Sequence, residues 1–157
     1  MKKPASEHYF TAQPTSDGET SRLDIDFAGR HWQFESAGGV FSKSEVDEGS
    51  LLLARTALKE ACPDDILCDL GCGWGFLGAV LAPLVKEVWL TDVNQRAVEL
   101  TRASLVLNNL TNASVVESDI LTGLPAEVGP TLIVTNPPFR AGKAVVWEFL
   151  RQAHERL

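Results

Sequence analysis

The chain has 157 residues, 45% hydrophobic and 22% charged, which suits one globular domain that can bury a core without disulfide or metal. Fourteen basic against twenty-one acidic residues give a net charge of −7, so a nucleic-acid partner has to be met locally rather than by a general basic surface. The longest uncharged apolar run, Phe76 to Val85, is far short of the roughly 20 residues of a membrane span, and no apolar stretch follows Lys2 and Lys3 as a signal peptide requires; the expected compartment is the cytoplasm.

The first twenty residues, with Pro4, Pro14 and Gly18, carry no periodicity and read as an arm whose one anchor is His8-Tyr9-Phe10. Apolar and polar residues then alternate over Leu23 to Phe27 and His31 to Phe34 around Ala28-Gly29, which predicts a β-hairpin. Ser44 to Asp47 has capping-box spacing, and Leu51, Ala54, Leu58 and Ala61 mark one face of a helix ending near Pro63. Residues 1–45 are thus expected to form a preamble, and residues 46–157 the domain that carries the chemistry.

From Ile66 onward short apolar runs alternate with helical stretches, the pattern of βα units and an open, mostly parallel α/β sheet. The predicted strands are Ile66–Asp69, Val88–Asp92, Ser114–Glu117 and Leu132–Thr135. The predicted helices are Phe76–Leu84, Gln95–Asn108 with Asn94 as N-cap, and one from Lys143 to the end. Cys62, Cys68 and Cys72 lack Cys-x-x-Cys spacing and the three histidines lie far from them, so no metal is expected. Trp32, Trp74, Trp89 and Trp147 read as packing residues, with Trp74 placed by its loop near a ligand.

Ligands of such sheets bind outside the carboxyl ends of the strands. Four polar residues stand there: Asp69, Asp92, Asp119 and Asn136. Any one of them alone reads as a turn residue or helix cap; four in register point to a site. Asp69 opens Asp69-Leu70-Gly71-Cys72-Gly73-Trp74-Gly75, whose alternate glycines permit positive φ and close approach to a ligand. Gly73 to Gly78 also satisfies G-x-G-x-x-G, so a dinucleotide competes. A carboxylate beneath the loop would repel a pyrophosphate but attract the cationic methionine part of S-adenosylmethionine, while Asp92 could accept from ribose hydroxyls and Asp119 from the adenine amine. After the fourth strand comes Asn136-Pro137-Pro138-Phe139. Pro137 holds Asn136 extended, and the prolines remove donors, leaving the Asn136 side-chain oxygen and the Pro137 carbonyl as fixed acceptors for an amine. Hydrogen bonds to both would draw a conjugated nitrogen toward tetrahedral geometry, and Phe139 would stack on its plane. The competing reading of this corner is a strand-ending turn with Phe139 in a core pocket.

The acidic glycine loop, the acid after the second strand and Asn-Pro-Pro-Phe resemble the class I S-adenosylmethionine-dependent methyltransferases that modify planar nitrogens. Gly39-Val40-Phe41-Ser42, Asp47-Glu48-Gly49-Ser50, His8-Tyr9-Phe10 and Arg140-Ala141-Gly142-Lys143 narrow the resemblance to the small-subunit ribosomal RNA guanine-2-amino methyltransferases of the C type. The resemblance implies a Rossmann-like sheet with strand order 3-2-1-4, S-adenosylmethionine as cofactor and ribosomal RNA or the small ribosomal subunit as partner. It places Asp69, Gly71, Gly73, Asp92 and Asp119 at the cofactor, with Cys72, Trp74, Gly75, Val93, Ile120 and Asn136 completing the candidate set. Asn136, Pro137, Pro138 and Phe139 fall at the acceptor amine, and Phe41, Arg140 and Lys143 beside the substrate. It also implies further strands beyond Leu157, hence a C-terminally incomplete sheet whose fourth strand presents a bare edge to a second copy. Other acceptors open to the same corner are a protein glutamine amide and a DNA adenine, and a cofactor-binding remnant without turnover is the non-enzymatic alternative.

Overall fold

The computed structural model describes residues 20–37 and 45–157. His8-Tyr9-Phe10, Gly39 to Ser42 with Phe41, and Ser44 lie outside the described residues. The first elements are β1 (Ser21–Phe27) and β2 (Arg30–Ser36), an antiparallel hairpin in which Phe27 faces Arg30. Ala28 and Gly29 form its two-residue turn with φ of 51° and 76°, both positive as a type I′ turn requires. One face of the hairpin is apolar and buried through Phe27, Trp32 and Phe34. The other carries exposed pairs, Arg22 with Glu35 and His31 with Asp24 and Asp26.

Helix α1 (Glu48–Glu60) starts at Asp47, whose side chain accepts the Ser50 N–H at 3.0 Å. The N-cap is therefore Asp47 rather than the Ser44 of the capping-box spacing, because the carboxylate reaches the third residue on and satisfies an orphan donor. The remaining elements are β3 (Ile66–Leu70), α2 (Phe76–Leu81), β4 (Glu87–Asp92), α3 (Gln95–Leu107), β5 (Ala113–Glu117), β6 (Leu132–Thr135) and α4 (Lys143–Arg156). Helix α2 gives way to a 3-10 turn over Ala82–Leu84, since Pro83 has no N–H with which to continue the ladder. The Asn94 side chain caps α3 by accepting from the Arg96 and Ala97 N–H groups, as its sequence position predicts.

The four later strands are parallel, in the order β5-β4-β3-β6. Numbered within the sheet this is 3-2-1-4, the expected Rossmann-like order. The register sets Leu70 beside Thr91 and Thr135, and Asp92 beside Glu117, so all four carboxyl ends open on one edge. Leu67, Val88, Leu90, Val115 and Val134 share one core with helix residues such as Ala54, Leu77 and Val98 and with the hairpin's Phe27, Trp32 and Phe34. Cys68 and Leu70 point the other way, toward Phe149 and Ala153 of α4. Each large side chain fully buried in these layers is worth roughly 1.5–3 kcal/mol.

The hairpin is docked by side chains that imitate a neighbouring strand. Asn108, at the end of α3, accepts from Gln33 N–H at 3.1 Å and donates to Gln33 C=O at 2.6 Å, while Ser104 Oγ accepts from Glu35 N–H at 3.0 Å. Behind it, Phe34 meets Trp74 and Phe76 edge to face, so the preamble buttresses the glycine loop. Of the four tryptophans, Trp32 and Trp74 are packed and Trp89 is half-buried, but Trp147 is 69% exposed. Its packing role is thus corrected: α4 has two apolar stripes, and the sheet takes the one through Phe149 and Ala153. Among the described residues no helix is long and apolar enough to cross a membrane.

Candidate functional site

The turn from β3 into α2 is built on glycines 71, 73 and 75, whose φ values of 74°, 58° and 90° lie in the left-handed region. Gly71 and Cys72 donate their N–H groups to Thr91 C=O, and Thr101 Oγ1 donates to Gly73 C=O, so the loop is pinned from two sides. A Cβ on Gly71 would sit 3.2 Å from the Phe149 ring, and one on Gly75 would sit 2.9 Å from Thr101. The loop is thus closely packed at Gly71 and Gly75, whereas a Cβ on Gly73 would meet nothing within 4 Å.

Two buried acids lie under it. Asp69 is fully buried; its Oδ2 accepts from Gly78 N–H at 2.7 Å, and its Oδ1 has no hydrogen-bond partner among the described residues. Burial raises its pKa to about 7, against the Gly78 hydrogen bond and helped by the charge of Asp92. Asp92 accepts from Gly73 N–H at 2.8 Å and Asn94 N–H at 2.9 Å, and burial raises it to about 6 despite these bonds. Burial also pushes the Cys72 thiol well above its ordinary range, which keeps it a neutral wall and not a nucleophile.

Beyond the strand ends is an open cavity of about 610 Å³, a size suited to a small-molecule ligand. Of the candidate cofactor residues, Gly71, Asp92, Val93, Asp119 and Ile120 border it, and so does Pro138 of the Asn-Pro-Pro-Phe corner. A smaller recess of about 40 Å³ lies on the other side of Gly71 and is bordered by Cys72, Gly73, Trp74 and Asn136, together with Asp47 and Ser50 of the α1 start. Asp69, Gly75, Pro137 and Arg140 border neither; Asp69 instead sits beneath the loop and Gly75 caps α2. Phe139 and Lys143 line a shallow groove with Val146, Trp147 and Leu150.

The Asn-Pro-Pro-Phe corner departs from expectation at one atom. The Pro137 carbonyl accepts from Phe139 N–H at 2.8 Å, closing an inverse γ-turn about Pro138 at φ −73° and ψ 77°. One lone pair of that carbonyl is therefore spent within the turn and one is left. Phe139 is 69% exposed, so it fills no core pocket. The Asn136 amide nitrogen donates to Asp47 Oδ1 at 3.2 Å and Ser50 Oγ at 3.1 Å.

Several residues that border the cavity carry no signal in a reading by motif. Thr91 Oγ1 is a buried hydroxyl without a hydrogen-bond partner among the described residues. Ser118 Oγ accepts from Gly123 N–H and donates to Ile120 C=O, shaping the turn that carries Asp119. Ile120 sits there at φ 55°, a strained value for a β-branched residue. From α4, Gln152 accepts the Leu121 N–H and donates to Glu148, whose carboxylate is lowered to about 2 by Arg151 and then Gln152. Asp92, Asp119 and Glu148 make the cavity wall acidic. Among the described residues no three His, Cys, Asp or Glu side chains gather as a metal site requires.

Residues 31–157 match the model of the methyltransferase small domain family. The chain is 36% identical to the uncharacterized protein YbxB of Bacillus subtilis over 97% of its length and 76% of that protein. It is 37% identical to ribosomal RNA small subunit methyltransferase C of Pseudomonas aeruginosa, over 93% of this chain and 42% of the relative. Among solved structures, the T. thermophilus 16S rRNA N2 G1207 methyltransferase RsmC, in complex with AdoMet and guanosine, superposes with a TM-score of 0.81 at 30% identity, over 92% of this chain and 40% of that one. The chain thus spans about two fifths of the two methyltransferases.

Proposed function

Because this chain belongs to the methyltransferase small domain family, we propose that it transfers a methyl group from S-adenosylmethionine to an exocyclic amine, the guanine 2-amino group of small-subunit ribosomal RNA. The observation that carries the reading is the double role of Gly71, which borders both the large acidic cavity and the recess holding Asn136. A ligand in the first would end where an amine held at the second begins. That AdoMet and guanosine occupy the T. thermophilus relative together supports the same pairing here.

The cavity suits the cofactor on its own chemistry. Among the described residues neither Thr91 Oγ1 at the wall nor Asp69 Oδ1 under the loop has a hydrogen-bond partner, and the two buried acids gain from a nearby cation. A pyrophosphate would meet the same carboxylates as repulsion, which disfavours a dinucleotide. Gly71, Cys72, Gly73, Trp74 and Gly75 are assigned to the loop side of the cofactor, with Asp69 acting from beneath. Asp92 and Val93 are assigned to its ribose, and Asp119 and Ile120 to its adenine. When bound, S-adenosylmethionine would supply a methyl group on a cationic sulfur.

The chain's own part is to orient the acceptor. The Asn136 Oδ1 and the remaining lone pair of the Pro137 carbonyl would each accept a hydrogen bond from the amine, turning its lone pair out of conjugation. Pro138 walls the cavity, and the exposed Phe139 ring would stack on a guanine taken out of its helix. Arg140 and Lys143 are assigned to flanking phosphates. Residues 46–157 carry this chemistry, with the hairpin as support behind Trp74.

The test is methyl incorporation into unmodified small ribosomal subunits, a protein glutamine substrate and DNA, side by side, with wild type and Asn136→Ala. The reading expects methyl only in ribosomal RNA, a loss of turnover of about 10²-fold or more in the variant, and cofactor affinity within about threefold. Methyl in protein or DNA instead would move the acceptor, and equal loss of turnover and cofactor binding would remove Asn136 from its role.

A further inference from the structure

The acceptor role of Asn136 depends on which end of its amide faces the substrate, and nothing within Asn136 itself fixes that. Rotation by half a turn about the last side-chain bond exchanges a carbonyl oxygen for an NH2 group, and an NH2 would repel the donating amine. The two contacts of Asn136 with α1 remove the choice. The Asp47 carboxylate can only accept, so the amide has to present nitrogen to it, at 3.2 Å, and the second N–H goes to Ser50 Oγ at 3.1 Å. Both hydrogens of the amide are then engaged, and no hydrogen bond reaches Asn136 Oδ1 among the described residues.

Asp47 is itself immobilised, because the same Oδ1 accepts the Ser50 N–H as the cap of α1. Gly49 leaves room for this contact: a Cβ there would lie 3.1 Å from Asp47 Oδ1, close enough to shift the carboxylate by a few tenths of an ångström, and 3.6 Å from Asn136 Nδ2. A helix start 89 residues away in sequence is therefore built around one amide. We infer that Asp47, with Ser50, is a positioning residue that locks the Asn136 amide with its oxygen toward the acceptor amine. The inference rests on the proposed methyl transfer, since it concerns how that site is aimed.

The test compares Asp47→Ser, Asp47→Asn and Asn136→Ala. Serine still caps a helix but is too short to reach Asn136, whereas asparagine keeps an oxygen for both partners. In methyl transfer to small ribosomal subunits, Asp47→Ser is expected to lower kcat by about tenfold or more, with cofactor affinity and thermal midpoint near wild type, and Asp47→Asn to recover most of it. Because Asp47 acts through Asn136, adding Asp47→Ser to Asn136→Ala should slow the enzyme no further. Retained kcat in Asp47→Ser, no recovery in Asp47→Asn, or additive losses in the double variant would overturn the inference.

A second readout does not need turnover. In the NMR spectrum the Asn136 side-chain NH2 pair should exchange slowly with solvent in wild type and Asp47→Asn, and fast in Asp47→Ser. If wild type methylates none of the substrates, the functional reading fails while this readout still decides the positioning: equal exchange in all three proteins would refute it.

Discussion

Replacing Asp69 by Asn should raise stability at alkaline pH relative to acid pH, because this carboxyl is a buried charge the fold does not neutralise. Its ordinary value of 3.8 is raised to about 7 in the folded chain, first by burial, so between those values the folded state holds a proton that the unfolded chain has released. Stability from this group is therefore fully present below about pH 4, falls as the pH rises toward 7, and levels off above it. The full drop is about 4 kcal/mol, of which about 3 kcal/mol falls between about pH 4.5 and about pH 8. The site is fully buried, so water does not screen the effect. Asparagine keeps an oxygen for the Gly78 N–H and does not titrate. The cost of its extra NH2 is the same at every pH and drops out of the difference, as does Asp92, which titrates in both proteins. In urea denaturation the gap between variant and wild-type midpoints should widen by about 1–2 M from the acid to the alkaline condition. Parallel curves over that range would refute the assignment of an unneutralised buried acid beneath the loop.

Gly78→Ala should destabilise by about 1–3 kcal/mol, seen as a thermal midpoint about 3–10 °C lower, because the new Cβ would overlap the Leu90 side chain and crowd the Asp69 oxygen. Asn108→Ala should cost about 1–3 kcal/mol and release the Gln33 amide to fast hydrogen exchange, since its paired hydrogen bonds dock the hairpin. Phe139→Ala should change stability by no more than about 0.5 kcal/mol, as the ring is exposed, yet weaken binding of the acceptor in a KM measurement.

Local pattern was enough for most of the scaffold. The β6 limits, the Ala28-Gly29 turn and the Asn94 cap follow from alternation, turn chemistry and capping, all of which act within a few residues. The strand ends at or beyond which Asp92, Asp119 and Asn136 stand were legible for the same reason, because four polar residues recur at the ends of successive apolar runs, where any one alone would read as a turn residue or cap. What stayed hidden depends on partners far along the chain. The Asp47 contact with Asn136 spans 89 residues, and the buttressing of Trp74 by Phe34 needs the hairpin in place. Trp147 misled because α4 offers two apolar stripes, and periodicity alone cannot choose which one the sheet will take. The Pro137 carbonyl misled more subtly: proline fixes its own φ, but the bond from Phe139 N–H depends on the ψ of Pro138, which composition does not set.

The most direct test of the account is calorimetric titration of this chain with S-adenosylmethionine, with NAD in parallel. The acidic cavity, with the Thr91 hydroxyl that has no hydrogen-bond partner among the described residues, predicts saturable binding of S-adenosylmethionine at one site, weakened by Asp92→Ala, and no heat from NAD. Binding of NAD, or a flat S-adenosylmethionine titration, would contradict the assignment of the strand-end cavity to that cofactor.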